Sequence, residues 1–402
     1  VRLTVDRLGH LGDGVAGALF VPGALPGEVV EGEVDGGRMV APKIVTPSPE
    51  RVAAPCPHYR ACGGCSLMHA RDGFVAAWKA AVVAEALEAQ GLAAPFRPIA
   101  TSPAGSRRRA TFAARRTKAG AIVGFHGRAS GTITEVPGCR VLSPYLLSLL
   151  PTLHEMTTRG ASRSGALDIA VTATAGGADI AVSGGKDPDS GMRASLAALA
   201  EAAGAARLVW NGEVVALRAD PAVSFGRARV TLPPGAFLQA TAEGEAALAD
   251  SVSQAVGEAR RIADLFAGCG TFALRLADHA EAHAVEGEAA MVAALDAGWR
   301  GTPGLHRVTA ERRDLFRRPL MADELARFDA AVIDPPRAGA EAQAGEIARS
   351  TLPRLAYVSC NPVTFARDAR VLTAGGFRLE WARPVDQFRW SPHVELVASF
   401  RR

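Results

Sequence analysis

From about residue 240 onward, apolar runs of strand length alternate with longer stretches of helical period. The strand-like runs are Arg261–Phe266, Ala282–Glu286, Ala330–Asp334, Leu355–Ser359 and Glu395–Phe400. This alternation predicts an α/β domain with a doubly wound, mostly parallel sheet. The first 48 residues read differently. Short β-prone runs at Val1–Val5, Gly17–Val21 and Glu28–Val34 are punctuated by Gly12-Asp13-Gly14, Gly23, Gly27 and Gly36-Gly37. That pattern predicts a compact antiparallel barrel. An irregular Cys- and Pro-rich stretch follows to about residue 72. Phe74, Trp78, Val82 and Leu87 then recur at helical spacing and predict a helix from about 74 to 90, ended by Gly91. Residues 101 to about 236 alternate strand-like runs with turns and predict a smaller α+β unit.

The apolar runs are too short to cross a bilayer. Val1–His10 contains no apolar stretch of the signal-peptide kind. A cytoplasmic protein is expected. The 402 residues leave room for two or three domains. A net charge of +4 permits a polyanionic partner without demanding one. Lysine is confined to Lys43, Lys79, Lys118 and Lys186, so almost all positive charge is Arg. Biased codon usage explains this, yet Arg also suits bidentate contact with phosphate. Arg107-Arg108-Arg109 and Arg115-Arg116-Thr117-Lys118 read either as solvated faces or as RNA contacts.

Asp264-Leu265-Phe266-Ala267-Gly268-Cys269-Gly270-Thr271 follows an apolar strand and opens a helix. Glycines at such a turn let the backbone approach a ligand closely. Glu286 ends the next strand, where an acid accepts hydrogen bonds from ribose hydroxyls. Asp314 and Asp334 follow the third and fourth units and line the same crevice. Ala273 stands where a dinucleotide fingerprint has its last glycine, which favours S-adenosylmethionine over NAD.

Cys360 lies in Ser359-Cys360-Asn361-Pro362, at a strand end followed at once by a turn. That edge of a parallel sheet is where ligands bind. A buried core cysteine is the competing reading. Asp334-Pro335-Pro336-Arg337 precedes it, and the prolines stiffen the exit of that strand. The other cysteines fall outside this half, apart from Cys269. Cys56, Cys62, Cys65 and Cys139 form a three-plus-one set that fits a [4Fe–4S] cluster better than a Zn site.

The stretches Asp264–Leu274, Asp334–Gly339, Val358–Asp368 and Asp386–Phe400 together resemble the RNA (uracil-C5)-methyltransferases. Ser359, Cys360, Asn361, Pro362, Thr364, Arg367 and Asp368 match the motif around that family's nucleophile. The resemblance implies a class I, Rossmann-like S-adenosylmethionine methyltransferase domain. It also implies a mechanism: Cys360 adds to C6 of uracil, C5 takes the methyl group, and a base removes the C5 proton so that Cys360 can leave. A free cysteine is only a few per cent thiolate at neutral pH, so its pKa should be lowered or its proton taken on substrate binding. Glu395, in His393-Val394-Glu395, matches the base. His393 is divided between a structural and a site role. Gln239, Phe266, Thr271, Glu286, Asp314 and Asp334 match cofactor positions. Thr271 stands where relatives often have Asn, and Asp334 has the uracil edge as a second role. The target base must leave its stack to be reached.

The resemblance further implies that Cys56, Cys62, Cys65 and Cys139 hold the iron–sulfur cluster of a branch acting on 23S ribosomal RNA. Residues 1–48 resemble that branch's OB-like TRAM barrel, trimmed between Glu33 and Val40. The central cluster and RNA-binding unit is expected over 49–73 and 101–236, and the catalytic domain over 74–100 and 237–402. RNA is the expected partner, with no membrane and no obligate protein partner. The same reaction on tRNA, a non-catalytic RNA-binding iron–sulfur protein, and an amine N-methyltransferase with its Asp-Pro-Pro turn are the competing readings.

Overall fold

The computed structural model describes residues 1–402. Its largest element is an eight-stranded sheet. Across the sheet the strands run Val308–Arg312, Glu281–Glu286, Arg261–Leu265, Ala330–Ile333, Arg354–Ser359, Glu395–Arg401, Arg378–Asp386 and Ala100–Thr101. All run parallel except Glu395–Arg401, which is antiparallel to both neighbours. Helices cover both faces, as near-continuous apolar strands require. Ala330–Ile333 is buried at every position, and so is Glu395–Arg401 up to its last residue. The doubly wound α/β class is therefore what the chain adopts.

One apolar layer joins Ala263, Leu265, Ala331, Ile333, Leu355 and Tyr357 of the sheet to Phe365, Ala369 and Leu372 of helix Pro362–Ala374. Val83 and Leu87 of helix Asp72–Glu88 pack into this same layer. That helix begins two residues earlier than its apolar period alone indicates. The opposite layer is built on Leu248, Val252 and Val256 of helix Ala242–Val256. Thr241 caps that helix, its hydroxyl accepting from the Gly244 N–H at 3.0 Å.

A second sheet has seven strands, ordered Ile133–Glu135, Gly120–His126, Arg109–Thr117, Ala166–Thr174, Gly177–Ser183, Arg207–Trp210 and Glu213–Leu217. Helices Leu150–Gly160 and Ser190–Ala202 close its core around Phe112, Leu153, Ile169 and Trp210. The hairpin Ala222–Phe225 with Ala228–Thr231 does not join this core. Its Phe225 and Val230 pack with Leu274 and Ala284 on the large sheet.

The N-terminal sheet has six short strands and a core of Val5, Ala16, Val21, Ala24, Val30 and Met39, consistent with an OB-like barrel. The supposed trimming between Glu33 and Val40 is a tight hairpin. Val29–Asp35 and Arg38–Thr46 pair directly, turned by Gly36 and Gly37, both at positive φ. Glu28 is fully buried beneath this barrel and paired with Arg51, which stitches the barrel to the segment that follows. No helix is long and apolar enough to cross a membrane.

Candidate active site

The parallel strands deliver their following residues to one edge of the large sheet. Strand Arg261–Leu265 ends at Phe266, Glu281–Glu286 at Glu286, Ala330–Ile333 at Asp334 and Arg354–Ser359 at Cys360. The antiparallel strand reaches this edge with its first residue. Ser359 lies opposite Leu396, so Cys360 and Glu395 come side by side. The three groups Cys360, Glu395 and Asp334 feel one another's charge.

The turn carrying Cys360 is held to the Asp334–Gly339 turn by three side chains. Asn361 Nδ2 donates to the Arg337 carbonyl at 2.9 Å, the Thr364 hydroxyl to the same oxygen at 3.2 Å, and Arg367 to the Ala338 carbonyl at 3.1 Å. Asp368 is fully buried behind them. It accepts from the Tyr357 hydroxyl at 2.6 Å and the Ala340 N–H at 2.7 Å. These residues of the motif thus act on the turns, and Cys360 is the one left facing the crevice.

Burial, reinforced by the Glu395 and Asp334 carboxylates, pushes the Cys360 thiol up to about 11, against the pull of Arg337. A lowered thiol pKa, one of the two sequence expectations, is not what the site provides. Glu395 is 4% exposed, and burial followed by the Asp334 charge raises its carboxyl to about 8. Asp334 is raised by burial to about 7. Two carboxyls poised near neutrality beside a thiol form the chemical signature of a proton-handling site. His393 lies edge-on to the Phe388 ring at 5.9 Å. Burial, then Arg337, Lys79 and Arg107, lowers its pKa and favours the neutral ring.

Gln239 comes to the same place from outside the sheet. It is buried, and its side-chain oxygen accepts from Gln387 Nε2 at 2.7 Å. The same Gln387 nitrogen donates to Glu395 at 2.6 Å. Gln387 falls in the Asp386–Phe400 stretch without being singled out there, and only the fold reveals its partners. Arg108 and Arg109 hold the segment beneath by donating to the carbonyls of Gln239 and Leu238. Part of the basic run is thereby committed to the protein itself. Arg109 also lies over the ring of Phe237, which is 57% exposed.

The other cofactor candidates line the neighbouring strand ends. The Gly268 N–H donates to Glu286 at 2.9 Å. Gly268 has φ +56, and a Cβ there would meet no atom within 4 Å, so the loop borders open space. Phe266 holds φ 61, a strained setting for a non-glycine residue. Its ring packs on Phe316 at 5.3 Å. Asp314 accepts from the Phe316 N–H and pairs with the exposed Arg317. Thr271 is half-buried in the turn itself. An open glycine turn, an aromatic pair and a strand-end acid fit the adenosine of S-adenosylmethionine. Asp264, beneath the loop, is fully buried. One oxygen accepts from the Ala273 N–H at 2.8 Å and the other has no partner.

Cys56, Cys62, Cys65 and Cys139 face a single cavity of about 430 Å³ between the Cys-rich segment and the second sheet. Arg107, Arg109, Phe237 and Phe388 share its walls. The expected cluster site does not follow, because no three His, Cys, Asp or Glu side chains come together as a ligand set. The thiols line a largely apolar cavity, and burial, followed by the Cys139, Cys62 and Cys56 thiols, raises Cys65 to about 12.

The model of the tRNA (uracil-5-)-methyltransferase family matches residues 304–401. An uncharacterised RNA methyltransferase of Rhizobium meliloti is 46% identical over all of this chain and 99% of the relative. The 23S rRNA (uracil(1939)-C(5))-methyltransferase of Alkalilimnicola ehrlichii is 34% identical over the whole chain and 96% of its own length. Among solved structures, the Pyrococcus abyssi tRNA (uracil-54, C5)-methyltransferase, in complex with S-adenosyl-L-homocysteine, superposes with a TM-score of 0.76. It is 22% identical, and the match covers 99% of both chains. Assignment to an iron–sulfur branch specific for 23S ribosomal RNA is therefore corrected: the ligand set is missing, and the similar proteins include both a 23S rRNA and a tRNA enzyme. At the level these matches share, the chain belongs to the S-adenosylmethionine-dependent RNA (uracil-C5)-methyltransferases.

Proposed function

We propose that this protein methylates C5 of a uridine in a folded RNA, with Cys360 as nucleophile and Glu395 as base. One observation carries the reading. The antiparallel register sets Glu395 beside Cys360 at the sheet edge, with Asp334 close enough to influence both.

Phe266, Thr271, Glu286 and Asp314 hold the cofactor, Glu286 taking the ribose hydroxyls. When bound, S-adenosylmethionine supplies a methyl group on a sulfonium, an electrophile that needs an electron-rich carbon. Cys360 creates that carbon on the uracil. Its sulfur bonds to C6, and the C5–C6 electron pair moves onto C5 and the C4 carbonyl. Because the free thiol holds its proton up to about pH 11, it ionises only as the base arrives. Glu395 and Asp334 are the adjacent groups able to take that proton. After methylation, Glu395 removes the proton from C5, the double bond re-forms, and the C6–sulfur bond breaks. A carboxyl raised to about 8 is a stronger base than an ordinary glutamate, which suits this step. Gln239 and Asp334 line the place of the flipped base, and exposed Phe237 offers it a stacking face.

The RNA class comes with the similar proteins. The Pyrococcus abyssi enzyme, alike in fold over the whole chain, is a tRNA methyltransferase by name, and we take tRNA as the first substrate to test. The Alkalilimnicola ehrlichii relative is a 23S rRNA methyltransferase by name, and 23S rRNA is the second. An RNA substrate supports the reading of a cytoplasmic protein. The test uses 5-fluorouridine-substituted tRNA and 23S rRNA fragments. Fluorine at C5 cannot leave as a proton, so a covalent protein–RNA complex dependent on S-adenosylmethionine is expected with one of them. The complex must vanish in Cys360→Ala. Full methylation by Cys360→Ala would sink the mechanism.

A further inference from the structure

Gln387 is 2% exposed, immediately past the end of strand Arg378–Asp386. Its carboxamide is fully engaged. Nε2 donates one hydrogen to Glu395 Oε2 at 2.6 Å and the other to Gln239 Oε1 at 2.7 Å. Its oxygen accepts from the Thr241 N–H at 3.4 Å. A backbone N–H can only donate, which fixes which end of the amide is oxygen. Both amide hydrogens are spent. Gln239, whose oxygen is taken, is left with its own NH₂ as the free donor.

The backbone on either side is clamped. Asp386 pairs with the fully buried Lys79 at 2.5 Å and accepts from the Phe388 N–H. Lys79 also donates to the Phe388 carbonyl, and the Asp386 carbonyl accepts from the Ser102 N–H. Room for the side chain comes from a glycine. A Cβ at Gly244, in the first turn of helix Ala242–Val256, would lie 2.2 Å from Gln387 Cγ. The fold thus excludes a side chain at 244 and seats Gln387 in the space.

We propose that Gln387 is a positioning residue for methyl transfer, holding the Glu395 carboxylate and the Gln239 amide in fixed relation at the crevice. The inference rests on the reading of Glu395 as the base. A donor on one carboxylate oxygen leaves the other to face the substrate. It also favours the ionised form against the burial that opposes it. The ionisable groups set around Glu395 are Asp334 and Cys360, from the neighbouring strand ends. Behind them, Glu245 of the packed helix is neutralised by Arg108 and Arg275, and Asp386 by Lys79.

The test compares Gln387→Met, which keeps the length and drops the donor, with Gly244→Ala, which keeps the amide and displaces it. Both are assayed on the RNA that forms the fluorouridine complex. For Gln387→Met, kcat should fall roughly 10- to 100-fold, as for a hydrogen bond to a charged group, with KM for RNA little changed. The acidic limb of the pH–rate profile should move to higher pH. Covalent complex with ordinary uridine RNA should accumulate, because proton removal and release of Cys360 are slowed together. Gly244→Ala should show the same signature more weakly, and supports the proposal even if Gln387→Met does not fold. An unmoved pH limb and no accumulating complex in folded variants overturn it, whatever the activity. Glu395→Gln run alongside separates the two levels. If it turns over normally, the reading of Glu395 itself has failed.

Discussion

The protein buries carboxylates in two contrasting ways. Asp386 meets Lys79 with both side chains almost wholly out of water, and Asp179 takes a two-pronged contact from Arg207 at 2.8 and 2.7 Å. These charges are compensated where they lie, and they fix backbone: one anchors the approach to Gln387, the other joins two strands of the second sheet. Glu395 is buried and Asp334 largely so, with no cation bonded to either; burial raises both, and the Asp334 charge adds to it at Glu395. Their ionisation is disfavoured, and that makes them reactive near neutral pH. Compensated burial builds the frame, and uncompensated burial supplies the chemistry.

The contrast can be broken most sharply at the crevice. Cys360→Ala should reduce methyl transfer to background, measured as tritium incorporation into the fluorouridine-positive RNA, while the denaturation midpoint barely moves. Glu395→Gln comes next. It keeps the shape and removes the base, so kcat should drop by about 10²- to 10⁴-fold, with covalent complex visible on denaturing gels. Loss of the complex along with turnover would assign Glu395 to the addition step instead.

The framing pair tests the other side. Lys79→Met leaves Asp386 buried without its partner and should destabilise the fold by about 3–5 kcal/mol, read by urea denaturation. Adding Asp386→Asn should recover part of that loss. A negligible effect of Lys79→Met would show that this pair is not a frame element. Asp264 sits between the two classes, and its effect is confined to the pH dependence of stability. Burial raises it to about 8, above its unfolded value, so the native state holds a proton that the unfolded chain has released. Stability from this group is present at low pH and is lost as pH rises toward 8. Asp264→Asn should therefore flatten the decline of stability between about pH 4 and 8. An unchanged slope would mean the carboxyl ionises freely in place.

Much of the frame was legible in the sequence because periodicity is a local property. Each of the five strand runs in the C-terminal half matches a strand to within one residue at either end. Cys360 stood out because Asn-Pro ends its strand abruptly. Its distance from Glu395 was not legible, since 35 residues separate them and only the register of Ser359 with Leu396 joins them. Gln387 and Gly244 were invisible for the same reason: neither residue type signals its partner. The cysteines misled in the opposite direction. Their spacing in Cys56, Cys62 and Cys65 satisfies a ligand pattern, but spacing constrains loop length and not where each sulfur points. Folded, they surround a cavity.

Strand Glu395–Arg401 lies between two strands formed by earlier segments and runs against both. Strand Arg378–Asp386 is bonded to Arg354–Ser359 and the strands beyond only through it, so Gln387 as well as Glu395 depends on its insertion. A chain lacking Glu395–Arg401 would have Cys360 and the glycine turn at the sheet edge without Glu395 beside them. On the assignment of Glu395 proposed above, turnover then reports on completion of the largest sheet.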